Sequence, residues 1–173
     1  MFEYKNNEMV PMTRRYPNLK RKVLERDAKI AAKLARAWDV EHDERKVLQI
    51  FVDHNAQLSH QRYWELLRTV WIICGSVKLI GQFRIFMCSS RPHKYYFSTP
   101  EEAAQFRDMK EGIDLFRATD DANDGGISWT TSREYAESYK EQFSKRHILI
   151  RPLIKTEVFA YINRNREDEI IIL

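Results

Sequence analysis

Two glutamates one residue apart, Glu167 and Glu169, stand just before the apolar ending Ile170-Ile171-Ile172-Leu173. In an extended segment alternate side chains share a face, so these carboxylates point the same way and Asp168 points opposite. Carboxylates this close repel, and one tends to hold its proton or attract a cation. Such a pair can divide work on a sugar. One carboxylate stabilises positive charge developing on a sugar carbon, while the other orients or deprotonates the incoming group. The same letters also describe a solvated turn, because residues 163–168 read Asn-Arg-Asn-Arg-Glu-Asp before a strand.

Arg117 lies within Ile113-Asp114-Leu115-Phe116-Arg117-Ala118-Thr119. If this is a strand, Phe116 faces the core and Arg117 the opposite side. An arginine projecting into a cleft can hold a pyrophosphate bidentately. An edge-strand arginine paired with Asp114 or Asp120 fits the same letters. The run Gly125-Gly126-Ile127-Ser128-Trp129-Thr130-Thr131-Ser132 follows. There Ser128 and Thr130 share one strand face and Trp129 takes the other. Small hydroxyls let a ligand approach closely and can hydrogen-bond a carboxylate. Trp129 fits a core anchor or a stacking platform, and Ser132 fits a helix cap.

The order of these pieces is more specific than any one of them. Phe-Arg-Ala comes first, then Gly-x-Ser-Trp-Thr-Thr-Ser with a helix bearing alanine and tyrosine, then Val-Phe-Ala-Tyr, then Arg-Glu-Asp-Glu-Ile-Ile-Ile. Over roughly residues 113–173 this resembles the R-S-E class of ADP-ribosyltransferases, the arginine-modifying class with an E-x-E motif, and especially its compact phage and bacterial members. The resemblance implies NAD as substrate and a protein acceptor, most simply an arginine side chain. It implies that Arg117 contacts the phosphates and nicotinamide ribose of NAD. Ala118 stands beside it, where many members carry glycine and the backbone meets nicotinamide. Ser128 would steady the catalytic glutamate, with Thr130 at the S-x-T position and Trp129 between them. Glu169 would be the catalytic glutamate, and Glu167 its acceptor-side partner. A metal has no part in that scheme.

The elements that must position these residues follow from pattern. Residues 1–17 contain Pro11 and Pro17 without periodicity and read as an irregular arm. Residues 18–112 read as mainly helical. Asn18 is a candidate cap for a helix running to Trp38, with Leu24, Ala28, Ala31, Ala32, Ala35 and Trp38 on one face. A second helix starts near Asp43. A third starts at Ser59, carries Tyr63, Leu66, Leu67, Val70, Trp71 and Cys74 at helical spacing, and stops at Gly75. Residues 77–87 fit a helix or a buried strand. Thr99 and Pro100 open a short helix that ends near Gly112. Residues 113–173 read as β-rich, with strands at 113–119, 127–130, 147–152, 157–161 and 169–173, and one helix from Arg133 capped by Ser132. Helices first and strands later predict an α+β fold. The resemblance implies a helical N-terminal half packed on a small split β-sheet core of the transferase kind, as one integrated domain.

Composition narrows the remaining choices. The chain of 173 residues is 43% apolar, enough for a sizeable core and one domain or a domain with an extension. Cys74 and Cys88 and the five histidines have no metal-like spacing, which reads as reduced thiols in a cytoplasmic protein, or host cytoplasm for a phage protein. No G-x-G-x-x-G precedes a helix, so no dinucleotide site of the Rossmann kind is expected. The N-terminal residues lack the apolar core of a signal peptide. Residues 69–81 are interrupted by Lys78 and fall short of the ~20 residues that span a bilayer.

Positive charge concentrates at Arg14, Arg15, Lys20, Arg21, Lys22, Arg26, Lys29, Lys33 and Arg36. This patch could dock nucleic acid or an acidic protein surface, although aromatics are not interleaved with it as single-strand binders usually require. Two alternatives therefore stand beside the transferase. One is an NAD glycohydrolase with water as acceptor, in which Glu167 would have no directed nucleophile to position. The other is an inactive binding protein that keeps the fold, supported by Ala118 and the short β-rich core.

Overall fold

The computed structural model describes residues 2–5, 8–11, 21–75, 79–121, 125–164 and 167–173. Its architecture is α+β: helices dominate the N-terminal half, and a five-stranded antiparallel sheet dominates the rest. Two compact units divide the chain. One contains residues 1–79 and 90–97, the other residues 80–89 and 98–173.

The first unit contains a pair of antiparallel strands where the sequence predicts an irregular arm. Strands β1 (Phe2–Lys5) and β2 (Glu8–Pro11) pair antiparallel, with Phe2 opposite Pro11. Four-residue strands are too short to show a period-2 signal above noise, and Pro11 sits at a strand end where its missing N–H is tolerated. Asn18 lies outside the described residues. Helix α1 (Arg21–Asp39) buries Asp27, Ile30, Ala31, Leu34 and Ala37. That stripe is rotated from the expected one: Ala32 is exposed and Trp38 half-buried. Ile30 and Leu34 choose the face, because burying a branched aliphatic removes more apolar surface than burying an alanine methyl. The buried Asp27 hid the stripe from a purely apolar count. Its carboxylate accepts from the Ser59 hydroxyl at 2.5 Å and the Ser59 N–H at 3.3 Å.

Helices α2 (Glu44–His54) and α3 (His60–Cys74) begin where their caps predict. Asp43 accepts from the Lys46 N–H at 3.0 Å, and Ser59 from the Arg62 N–H at 3.4 Å. Gly75 ends α3. Phe51, Trp64, Leu67 and Val70 are fully enclosed between these helices and a short turn, Lys94–Phe97.

In the second unit, residues 80–87 resolve the open choice as helix α4 (Ile80–Met87). Helix α5 (Pro100–Asp108) has a complete capping box: Thr99 accepts from the Glu102 N–H, and Glu102 accepts from the Thr99 N–H. It stops at Asp108, short of the expected end near Gly112. Strands β3 (Asp114–Thr119), β4 (Ser128–Thr130), β5 (His147–Pro152), β6 (Val158–Ile162) and β7 (Glu169–Ile172) assemble in the order β5-β3-β4-β7-β6. Leu115, Trp129, Tyr161, Ile170 and Ile172 build an apolar cluster on one face, with Phe106 of α5 against it. Helix α6 (Arg133–Gln142) packs against β3, β4 and β5. The central strand β4 and its neighbour β7 thus carry the serine and the glutamate side by side.

Candidate functional site

Register places the site residues before any side chain is considered. Thr130 of β4 lies opposite Glu169 of β7, and Ser128 opposite Ile171. Directly opposed residues on antiparallel strands share a face, so Ser128, Thr130 and Glu169 project together. Ser128 Oγ donates to Glu169 Oε1 at 2.5 Å. Glu169 is only 6% exposed, so its charge depends on such partners.

Arg117 reaches the same serine from the other side. The β3–β4 ladder is short, with Phe116 opposite Thr130. A continued ladder would set Ala118 opposite Ser128. Instead the Ser128 carbonyl accepts from Arg117 Nη1 at 2.6 Å. The side chain lies so close to β4 that a Cβ on Gly126 would fall 1.9 Å from Arg117 Nη2. Gly126 therefore makes room for the guanidinium by lacking a Cβ, not by its backbone angle. Arg117 is 8% exposed. One residue thus bridges a buried cation and a buried anion, the cation on its carbonyl and the anion on its hydroxyl.

The pair around Asp168 is built differently from the expected extended segment. Asp168 has φ 45°, in the left-handed region that aspartate tolerates better than most residues. Its carboxylate accepts from the Tyr161 hydroxyl at 2.6 Å, and burial, then that bond, raises the Tyr161 pKa. Glu167 turns toward α6. Its carbonyl accepts from Thr130 Oγ1 at 2.5 Å, and Thr130 Oγ1 in turn accepts from the Ser132 N–H at 3.0 Å. Both glutamates act electrostatically on Tyr135. So the two carboxylates do address one region, but through a left-handed kink and a threonine anchor.

Tyr135 was not singled out from sequence as a site residue. It sits in the first turn of α6, its N–H donating to the Ser132 cap at 3.1 Å. Its hydroxyl is within hydrogen-bonding reach of Glu167, and burial, then the Glu167 charge, pushes its pKa up to about 12. The signal for it was positional: the first turn of a helix entered directly from β4 returns to the end of that strand.

Two arginines were also missed. Arg164 Nε donates to Glu167 Oε2 at 3.0 Å. Arg84 of α4 donates to the Gly125 carbonyl. Arg84 is the lone cation in Ile-Gly-Gln-Phe-Arg-Ile-Phe-Met, which was its available signal.

The remaining expected residues are placed as follows. Ala118 is half-buried and opposite Ile148. Trp129 belongs to the apolar cluster on the face away from Ser128 and Glu169, with the Arg151 guanidinium 5.6 Å from its ring centroid. Along α1, Arg21, Lys22, Arg26, Lys29, Lys33 and Arg36 are exposed, whereas Arg14, Arg15 and Lys20 lie outside the described residues. Among the described residues no three His, Cys, Asp or Glu side chains group as metal ligands, and no helix is long and apolar enough to cross a membrane. No family model, curated protein or solved structure matches the chain.

Proposed function

We propose that this protein is an NAD-dependent mono-ADP-ribosyltransferase that modifies an arginine side chain of a protein acceptor, and that its five-stranded unit is a compact core of that enzyme class. The observation that carries the reading is the Ser128 bridge. A buried guanidinium and a buried carboxylate meet on one small residue, and this chemistry suits a substrate that pairs a pyrophosphate with a ribose.

In this reading Arg117 neutralises the pyrophosphate, exchanging its bond to the Ser128 carbonyl for charge-assisted bonds. Glu169, oriented by the Ser128 hydroxyl, hydrogen-bonds the nicotinamide ribose. Its negative charge lowers the barrier because the sugar carbon is more positive in the transition state than in the ground state. Glu167, fixed through its carbonyl by Thr130, binds the incoming guanidinium and takes its proton. Tyr135 covers the Glu167 carboxylate from α6 and, as a neutral phenol, excludes water without adding charge.

Incubation with labelled NAD and a bacterial lysate tests the reading. Wild type transfers label to protein, and Glu169→Gln lowers the rate by roughly 10²–10³. If wild type and Glu169→Gln are equally silent across lysates and calorimetry detects no NAD binding, the reading is wrong. Release of free nicotinamide without protein labelling would turn it into a glycohydrolase.

A further inference from the structure

The positive charge of α1 is ordered in a way the proposed reaction does not use. Lys22, Arg26, Lys29, Lys33 and Arg36 follow one another at intervals of four, three, four and three residues. At about 100° per residue this spacing keeps all of them within roughly 80° of the helix circumference, over about 21 Å of its length. All five are exposed. The acids of the same helix are engaged elsewhere or lie at its end. Asp27 is buried and accepts from Ser59, Glu25 is held by Arg21 at 2.7 Å, and Asp39 follows the last cation as the final residue of α1. Among the described residues no carboxylate pairs with Lys22, Lys29 or Lys33. Arg26 and Arg36 lie only loosely against theirs, 3.6 Å from Asp27 and 3.7 Å from Glu41.

What lies beside the row narrows the partner. Ala28, Ala32 and Ala35 repeat the interval of four and three on the adjoining arc; Ala32 is exposed and the other two are half-buried. None of the large exposed apolar side chains belongs to α1, whereas a protein partner is held by aromatic or aliphatic anchors. Trp38, the one aromatic residue of the helix, is half-buried with its ring 6.1 Å from that of His42. It offers no stacking platform of the kind on which single-strand binders hold unstacked bases. What remains is a straight row of cations on a narrow helix edged by small side chains, which suits phosphates at regular intervals. The B-form major groove, about 12 Å wide, admits such a helix. The deep, narrow major groove of A-form RNA does not.

We propose that α1 is a docking helix for double-stranded DNA. Its five cations neutralise phosphates along one strand, and the alanine row lets the helix approach the groove wall closely. This goes beyond the transferase reading and does not depend on it. Over ~21 Å each strand presents about six phosphates, one per 3.4 Å of duplex axis, enough to meet all five cations. Contacts to phosphate carry no sequence information. Affinity is therefore alike for any sequence and lies in the non-specific range, about 1–100 μM at physiological salt.

The test is fluorescence anisotropy of the full-length protein with a labelled duplex of about 20 base pairs and arbitrary sequence, at roughly 50–200 mM salt. Wild type is expected to bind with log affinity falling against log salt at a slope near −4.5, about −0.9 for each of five phosphates. Lys22→Ala and Lys29→Ala keep the helix, since alanine is the stronger helix former, and far-UV circular dichroism verifies this. Each lowers the slope by about 1 and weakens binding roughly eight-fold at ~0.1 M salt. Arg133→Ala removes the same charge from α6 and leaves slope and affinity unchanged. The proposal is overturned if the duplex does not bind at ~50 mM salt, or if Arg133→Ala weakens binding as much as Lys29→Ala. It is equally overturned if single-stranded DNA or duplex RNA binds as tightly as duplex DNA. Tighter binding of polyglutamate than of the duplex would assign the face to an acidic protein instead.

Discussion

At the scale of single residues the site depends on close approach. Gly126 admits the Arg117 guanidinium to the edge of β4, where any Cβ would collide with it at 1.9–2.4 Å. The colliding atoms are the far end of a flexible side chain, so Gly126→Ala should displace Arg117 and spare the strand. Loss of one charge-assisted bond costs about 1.5–3 kcal/mol, or roughly 10–100-fold in affinity. Calorimetry should therefore show NAD binding weakened by that factor, while the melting temperature stays close to wild type. An unchanged affinity would mean that Arg117 does not contact the ligand.

The sequence marks Arg117 as a strand arginine able to hold a pyrophosphate, but not its partner within the chain. Its recruitment by the Ser128 carbonyl depends on β3 and β4 parting after Phe116, a tertiary event with no local signature. The serine–glutamate contact was more legible, because alternation alone places Ser128 and Thr130 on one face. Arg164 and Tyr135 were named only as part of a polar loop and of a helix face. What makes them functional candidates is the left-handed turn at Asp168, and such a turn is not readable from a single aspartate.

At the scale of elements, Asn163, just after β6, is tied to α5 by Glu102 and by Gln105, whose Oε1 accepts from Asn163 Nδ2 at 3.1 Å. Glu102 is 4% exposed, and its two oxygens do separate jobs. Oε2 accepts from the Thr99 N–H at 2.7 Å, closing the capping box, and Oε1 accepts from the Asn163 N–H at 3.0 Å. Thr99→Ala removes only the cap and should cost about 1 kcal/mol in denaturant unfolding. Glu102→Ala removes the acceptor of two part-buried hydrogen bonds, each contributing about 0.5–1.5 kcal/mol net. It should therefore cost distinctly more than Thr99→Ala, and it should also raise the KM for an arginine acceptor by loosening the loop after β6. Equal costs for the two variants would rule out the second tie.

Elements of this kind were the most legible part of the chain. Asp43, Ser59, Thr99 and Ser132 each cap the helix expected of them, because a cap is a local interaction between neighbours in sequence. Helix α4 was ambiguous because eight mostly apolar residues satisfy a helix and a buried strand alike. The pairing of β1 with β2 was missed because pairing partners, not local preference, define four-residue strands.

At the scale of the whole molecule, the chain divides into two units of similar size, each with its own core. Cores this small bury a modest fraction of their chain's surface and have little stability to spare. Each unit happens to contain one cysteine in a contrasting environment. Cys74, at the end of α3 in the first unit, is 1% exposed and donates to the Glu44 carbonyl at 3.2 Å. Burial, and then the Glu44 charge, pushes its pKa up to about 12. Cys88, just past α4 in the second unit, is exposed. The thiolate is the reactive form, so native Cys74 offers a thiol reagent neither access nor charge at neutral pH. One equivalent should therefore react rapidly at Cys88, and a second only as fast as the helical unit opens. Raising denaturant should accelerate the second phase and leave the first nearly unchanged, because only the second is limited by unfolding. The sign with pH follows from the raised value. The unfolded thiol ionises near its ordinary value of 9.0 while the folded one stays protonated to about 12. Stability contributed by the buried thiol is thus complete below pH 9 and lost as pH rises toward 12. Slow labelling of Cys74 should accordingly speed up across that window in wild type by more than thiolate chemistry at an exposed cysteine accounts for. If Cys74 instead labels as fast as Cys88 in native buffer, the packing of α3 against α2 described above is wrong.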